Sequence, residues 1–121
     1  MLEQDVLRFL RSEIASLWTL ELLLLIARDA ARDWSIDGLT RELRASAGIT
    51  TGALLRLGEA GLVVGSDGVY RYSPASAELE RLVRRTAEAY ATYPLAVTEA
   101  VLSAPSSKIQ LFADAFRLKK E

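Results

Sequence analysis

The sequence predicts a mainly α-helical fold with one small β-hairpin. Apolar side chains recur at three- and four-residue steps along most of the 121 residues, as in amphipathic helices. The pattern changes once, between Leu62 and Tyr72, where two β-rich runs flank the turn pair Asp67-Gly68. Half of the residues are hydrophobic, which is enough for a core. We therefore expect a single domain over residues 1–121, with an N-terminal helix (1–12), a core (13–75) and a C-terminal helical extension (76–121).

Four helices are predicted before the hairpin, each with a serine suited to cap its N-terminus except the first. The second helix is apolar most of the way round, so we expect it to be buried on several sides. Gly61 fits the position after the fourth helix, where a positive φ is needed. The predicted helices are Glu3–Arg11, one from a Ser12 cap to about Arg32, Ile36–Arg44 after Ser35, and one from a Ser46 cap to about Ala60.

The hairpin and three more helices complete the prediction. The strands begin at Leu62-Val63-Val64 and at Val69, and Ser73-Pro74 ends the second one. Ser76 is placed to cap a long amphipathic helix, and Pro94 must end that helix or open the next. Phe112 and Phe116, one turn apart, either close the core of the chain or lie at a dimer interface. The predicted helices are Ala77–Tyr93, Pro94–Leu102 and Ser107–Leu118.

The order helix, helix, turn, helix, two-stranded hairpin, helix is that of a winged helix-turn-helix domain. Leu54 and Leu57, followed by Glu59-Ala60-Gly61-Leu62-Val63, resemble the end of the recognition helix and the start of the wing in the MarR, ArsR and PadR families of bacterial regulators. Trp34-Ser35-Ile36-Asp37-Gly38-Leu39, with Glu42-Leu43, is similar to the start of their first helix-turn-helix element. The resemblance spans about Ile14 to Ser73, roughly half of the chain, and does not single out one family.

This resemblance implies a DNA-binding transcriptional regulator that acts as a homodimer. In such proteins the free face of the recognition helix enters the major groove and the wing touches phosphate or the minor groove. Thr50, Thr51 and Arg56 would face the groove, where hydroxyl and guanidinium groups can read base edges. Arg41, Arg44 and Arg71 would contact the phosphates. Double-stranded DNA is therefore the first expected partner.

The alternative interpretation of the same fold is a protein-protein interaction module that does not bind DNA. The face that should read bases holds Gly48, Ile49 and Gly52, which offer few side-chain hydrogen bonds. The wing tip carries Asp67, which phosphate would repel. The chain has 15 basic and 16 acidic side chains, so its net charge of −1 gives no general attraction to nucleic acid. The sequence leaves both partners open.

Composition argues against most enzyme classes. The chain has no cysteine and no histidine, which removes thiolate and imidazole metal ligands, cysteine nucleophiles and serine–histidine triads. No phosphate-binding glycine loop is present. We expect no enzyme activity, no cofactor and no metal. The acidic start is unlike a signal peptide, and the most hydrophobic run, Leu22 to Ala27, is too short to cross a bilayer. We therefore expect a cytoplasmic protein without a membrane partner.

Overall fold

The computed structural model describes residues 2–103, and the fold is a winged helix. The predicted helix Ser107–Leu118 lies outside these residues. The elements, in chain order, are α1 (Gln4–Phe9), a π-helical turn (Leu10–Ile14), α2 (Leu17–Arg28), β1 (Trp34–Ser35), α3 (Ile36–Leu43), α4 (Ala47–Glu59), β2 (Val63–Ser66), β3 (Val69–Tyr72), α5 (Ala77–Thr92) and α6 (Pro94–Leu102). The mainly α-helical fold class and the hairpin are confirmed.

The start of the chain differs from the prediction. Ser12 does not cap a helix, because α1 continues into the π-helical turn at this point. The Ser12 hydroxyl instead donates to the carbonyl of Arg8 (2.7 Å). This extension buries both Leu10 and Ile14. Ala15 then reverses the chain with a φ of 61°, and Ser16 caps α2 instead by accepting from the Thr19 N–H (3.1 Å). Helix α2 ends at Arg28, four residues before the predicted end.

The sheet within residues 2–103 has three strands, in the order β1-β3-β2, all antiparallel. The hairpin β2–β3 pairs Val63 with Tyr72 and Ser66 with Val69. Strand β1, just two residues long, pairs Trp34 with Tyr70 and thereby ties the start of α3 to the wing. Strand β1 was not predicted from the sequence, since so short a strand carries no alternation of its own.

One core joins the helices to the sheet. Helix α2 lies at its centre, packed against α3, α4, α5, α6 and β3. The largest fully buried side chains are Val6, Leu10, Ile14, Leu20, Leu22, Leu23, Ile26, Leu39, Leu57, Leu62, Val97 and Val101. Most of the apolar surface of α2 is thus covered by its own chain, in agreement with the buried helix predicted for this segment. None of the helices between residues 2 and 103 is both long enough and apolar enough to span a bilayer.

Candidate nucleic-acid interface

Helices α3 and α4 form the helix-turn-helix, and two serine caps fix where they begin. The Ser35 hydroxyl accepts from the Gly38 N–H (3.0 Å), and the Ser46 hydroxyl accepts from the Ile49 N–H (3.2 Å). Such caps satisfy amides that have no partner inside the helix. Arg44 ends α3 with a φ of 57°, and this left-handed residue makes the sharp turn into α4. Both capping predictions are confirmed.

The inner face of α4 is held by apolar packing and by one pair of hydrogen-bonded hydroxyl groups. Leu54 and Leu57 are buried against α2 and the neighbouring elements, as the sequence predicted. The hydroxyl oxygens of Thr40 and Thr50 lie 2.9 Å apart. Thr50 is fully buried, and its hydroxyl donates to the Ser46 carbonyl (3.1 Å). The prediction that the Thr50 side chain faces the DNA groove is therefore wrong: its hydroxyl is used within the fold.

Arg56 also points inward, against the prediction. Its Nε donates to the carbonyl of Glu13 (3.0 Å) and its Nη2 to the carbonyl of Ser12 (2.9 Å). These carbonyls lie in the last turn before Ala15, where a helix leaves its final carbonyls without intrahelical partners. The guanidinium thus caps the π-helical turn and fastens α4 to the N-terminal helix. In this arrangement it is not a groove-facing residue.

The outward face of α4 is neutral to acidic and partly apolar. Leu55 is 66% exposed and Ile49 is 37% exposed, and Glu59 carries the one charge on this face. Thr51 is exposed and is the single hydroxyl that α4 presents outward. The other exposed residues of α4 are Ala47, Gly48, Gly52 and Gly58. The face therefore offers backbone, apolar side chains, one hydroxyl and one carboxylate to a partner.

Two arginines lie at the end of α3 that leads into α4, Arg41 in its last turn and Arg44 at its C-cap. Arg41 and Arg44 are exposed, and neither makes an ion pair or a side-chain hydrogen bond with the residues in the 2–103 range. Unpaired guanidinium groups are suited to phosphate, because they offer several donors in a fork without first breaking another contact. The structure thus leaves both predicted phosphate ligands free.

The wing turns at Asp67 and Gly68, which have positive φ values of 56° and 77°. Two successive positive φ values are those of a type I′ turn, as an Asp-Gly pair between strands predicts. Across the hairpin, Tyr70 is opposite Gly65. A Cβ atom built on Gly65 would lie 2.5 Å from the nearest atom of the Tyr70 ring. A side chain at position 65 would therefore push the Tyr70 ring out of this place.

Arg71 lies on β3 and is already paired. Its guanidinium binds Asp33 with an Nε–Oδ1 distance of 2.7 Å, and both side chains are about half exposed. An exposed pair of this kind is worth less than about 1 kcal/mol, so a phosphate could take the arginine from it. Asp33 was not among the residues predicted for the site: it precedes β1 and reaches Arg71 only because β1 pairs with β3.

A groove of about 430 Å³ runs between α4 and the wing. We call it the α4–wing groove. Its floor and walls are mainly apolar, and the exposed side of Leu55 forms its rim. The lining residues are Thr51, Leu54, Leu55, Gly58, Glu59, Val63, Gly65 and Tyr70. Sequence periodicity placed Leu54 inward but did not single out its neighbour Leu55 as a surface residue.

A larger groove of about 630 Å³ lies between α2, α5 and the end of β3. At one end Tyr90 donates its hydroxyl proton to Glu21 (2.7 Å), and this bond, with burial, raises the pKa of the tyrosine. Arg28 and Arg84 lie along its edges. Within residues 2–103, no three acidic side chains cluster closely enough to hold a metal ion.

The geometry defines a winged helix-turn-helix domain in which the outer side of α4 is not covered by the rest of residues 2–103. No family model and no curated protein matches the chain. Among solved structures, the chain is similar to the crystal structure of ligand-free NadR, with a TM-score of 0.53 and 22% sequence identity. The alignment covers 97% of this chain and 87% of that one. The similarity therefore extends over the N-terminal helix and the helices after the wing, and supports the fold.

Proposed function

We propose that this protein is a cytoplasmic transcriptional regulator that binds duplex DNA through α4 and the wing. One observation carries the proposal: the outer face of α4 is uncovered by the rest of residues 2–103, and Arg41 and Arg44, at the end of α3 just before α4, have no side-chain partner among those residues. A helix presented in this way can enter a major groove while cations beside it hold the phosphates. The similarity to NadR supports the same fold over nearly the whole chain.

The revised contact set is smaller than the one the sequence predicted. Arg41, Arg44 and Arg71 would bind phosphates, with Arg71 leaving Asp33 to do so. Thr51 is the remaining candidate for a base contact from α4. Gly52 has no neighbour within 4 Å of the position a Cβ would occupy, so the backbone of α4 can approach the DNA closely. With one base-reading hydroxyl, we expect recognition to depend mostly on phosphate contacts and DNA shape.

Fluorescence anisotropy with a labelled duplex at low salt tests this proposal. The double substitution Arg41→Gln/Arg44→Gln should weaken binding about tenfold, if each contact is worth about 0.7 kcal/mol, within the range for exposed ion pairs. Arg81→Gln/Arg84→Gln is the matched control, since it removes the same charge from α5, which packs against α1, α2 and α6. Equal loss in both variants would show attraction by net charge and would refute a site at α3 and α4.

We further propose that the protein acts as a homodimer. The support is a set of exposed apolar side chains at the two ends of α6: Tyr93 (46%) and Leu95 (78%) where it begins, and Leu102 (51%) where it ends. A two-fold dimer would double the phosphate contacts and match a palindromic site. Sedimentation should give twice the chain mass of 13.3 kDa, and Leu95→Glu should return it to that mass. A wild-type protein that sediments as a single chain at micromolar concentration contradicts the dimer.

A protein partner is the second candidate, and the exposed Leu55 is the observation that favours it. The substitution Leu55→Lys separates the two functions, because lysine is a good helix former and this site is open to solvent. A cation at the centre of the outer face should strengthen binding to a duplex by one more phosphate contact. It should instead abolish docking of an apolar protein surface. Wild-type protein without affinity for DNA at low salt would favour the second candidate.

A further inference from the structure

Arg71 differs from the other two arginines proposed to bind phosphate, because it is already paired within the protein. Arg41 and Arg44 have no ion-pair partner among residues 2–103, whereas the Arg71 guanidinium binds the carboxylate of Asp33. A carboxylate and a phosphate are the same kind of acceptor for a guanidinium group. Asp33 therefore occupies the donors that Arg71 would use on DNA.

The register of the sheet places Asp33 opposite Arg71. Trp34 pairs with Tyr70 in the antiparallel ladder of β1 and β3, so the next position along the ladder puts residue 33 across from residue 71. Residues that lie opposite each other in this way have neighbouring side chains on one face of the sheet, and opposite charges attract each other there. The ion pair is thus a consequence of the pairing between β1 and β3.

The residues on either side of Asp33 hold its backbone in place. Trp34 is 3% exposed, and the Arg32 guanidinium lies over its ring, 3.8 Å from the ring centroid. The backbone N–H of Arg32 donates to the Asp29 carbonyl (3.0 Å), which closes the turn before β1. A carboxylate on a backbone that is already fixed gives up little conformational entropy when it binds a cation. Asp33 is therefore well placed to compete for a guanidinium.

The geometry of the pair favours its exchange for a phosphate. The Nε and Nη2 atoms of Arg71 both approach a single carboxylate oxygen, Oδ1 of Asp33, at 2.7 and 2.6 Å. A guanidinium is held more strongly when its two donors meet two oxygens side by side, and a phosphate of DNA can present that arrangement. The Arg71 and Asp33 side chains are about half exposed, so a phosphate can reach the guanidinium from solvent.

We propose that Asp33 is an internal competitor of DNA: it occupies Arg71 in the free protein and lowers the affinity for any duplex that uses this arginine. The inference rests on the proposed function, and it names a residue that opposes that function from within the fold. Breaking the Asp33–Arg71 pair consumes part of the free energy that the new contact with phosphate releases. In a two-fold dimer two such pairs break, so the factor by which affinity falls is squared.

Fluorescence anisotropy with a random-sequence duplex at low salt measures this competition in the full-length chain. Asp33→Asn should bind the duplex about threefold more tightly per chain than the wild type, a change within the range of exposed ion pairs. Asp29→Asn is the matched control, because it removes the same charge from the same loop and its exposed side chain has no ion-pair partner among residues 2–103. It should change the affinity by less than about 1.5-fold.

A double-mutant cycle with Arg71→Gln separates competition from net charge. If Asp33 acts through Arg71, Asp33→Asn should leave the affinity unchanged in a chain that already carries Arg71→Gln. In NMR spectra of the free protein, the Arg71 Nε–H signal should move in Asp33→Asn and stay in place in Asp29→Asn, because only the first substitution removes its acceptor.

Two sets of results would overturn the proposal, and they differ in what else they refute. Duplex binding that is equal in Asp33→Asn and the wild type, or that rises equally in Asp33→Asn and Asp29→Asn, refutes the competition and leaves the proposed function intact. A rise that persists with Arg71→Gln does the same, because it shows an effect of net charge. Absence of binding by the wild type and by every variant refutes the proposed function, and this inference with it.

Discussion

Replacing Arg56 by alanine should destabilise the fold and leave DNA affinity unchanged. The side chain makes two hydrogen bonds from a charged donor, to Glu13 O at 3.0 Å and to Ser12 O at 2.9 Å. Bonds of this kind contribute about 1.5–3 kcal/mol each when water cannot replace them. The Ser12 carbonyl is at an exposed site, so water takes over much of that bond. We therefore expect Arg56→Ala to lower the free energy of unfolding by about 2 kcal/mol.

Thermal unfolding followed by far-UV circular dichroism measures this loss. At about 4 °C per kcal/mol for a domain of this size, the midpoint should fall by about 8 °C. Arg41→Ala is the matched control, because that exposed side chain has no partner within residues 2–103. It should change stability by less than about 0.5 kcal/mol and weaken DNA binding instead. The reasoning is refuted if Arg56→Ala unfolds like the wild type while losing affinity for DNA.

Three further predictions follow from single contacts. Thr50→Val keeps the shape of the side chain but removes its hydroxyl, so it should cost about 1–2 kcal/mol of stability and leave anisotropy titrations unchanged. Asp67→Asn keeps the wing turn and removes a charge that repels phosphate, so duplex affinity should rise about twofold. The hydrogen bond to Glu21 raises the pKa of Tyr90 above 10.0 in the folded protein. The stability that this bond contributes is therefore complete below pH 10.0 and is lost as the pH rises through the pKa of Tyr90 in the folded protein. Denaturant titrations of Tyr90→Phe should therefore show a smaller loss of stability at alkaline pH than the wild type.

The helix-turn-helix could be predicted from the sequence because its helix caps and turns depend on neighbouring residues. Ser35 and Ser46 each precede a helix, and Gly61 supplies a positive φ of 78° where α4 ends. The Asp67-Gly68 pair fixes the hairpin turn in the same way. Each of these features depends on a few adjacent residues, so tertiary contacts have little left to decide.

The features that the sequence did not predict all depend on contacts between distant residues. Strand β1 exists because Trp34 pairs with Tyr70, and the choice of Ser16 over Ser12 as a cap follows from the burial of Leu10 beside α6 and α2. Two serines four residues apart offer equal local signals, and packing decides between them.

The prediction that the structure corrects most is which side chains of α4 face outward. Successive residues of a helix are rotated by about 100°, so a shift of one residue moves a side chain from the outer face towards the inner one. The outer face can therefore be assigned only when the contacts of the inner face are known. Thr50 is turned inward by Thr40 and the Ser46 carbonyl, and Arg56 by the carbonyls of the π-helical turn. Leu55, which the sequence pattern did not place on either face, lies on the outer side of α4 and is 66% exposed.

The salt dependence of binding to a random-sequence duplex tests the central claim that this winged helix binds DNA. Three phosphate contacts per chain, from Arg41, Arg44 and Arg71, predict that log K falls with log salt at a slope of about −2.7 per bound chain. Loss of Arg41 should reduce the slope by about one. A duplex that does not bind even at low salt, or binds with a slope near zero, contradicts the account and favours a protein partner for α4.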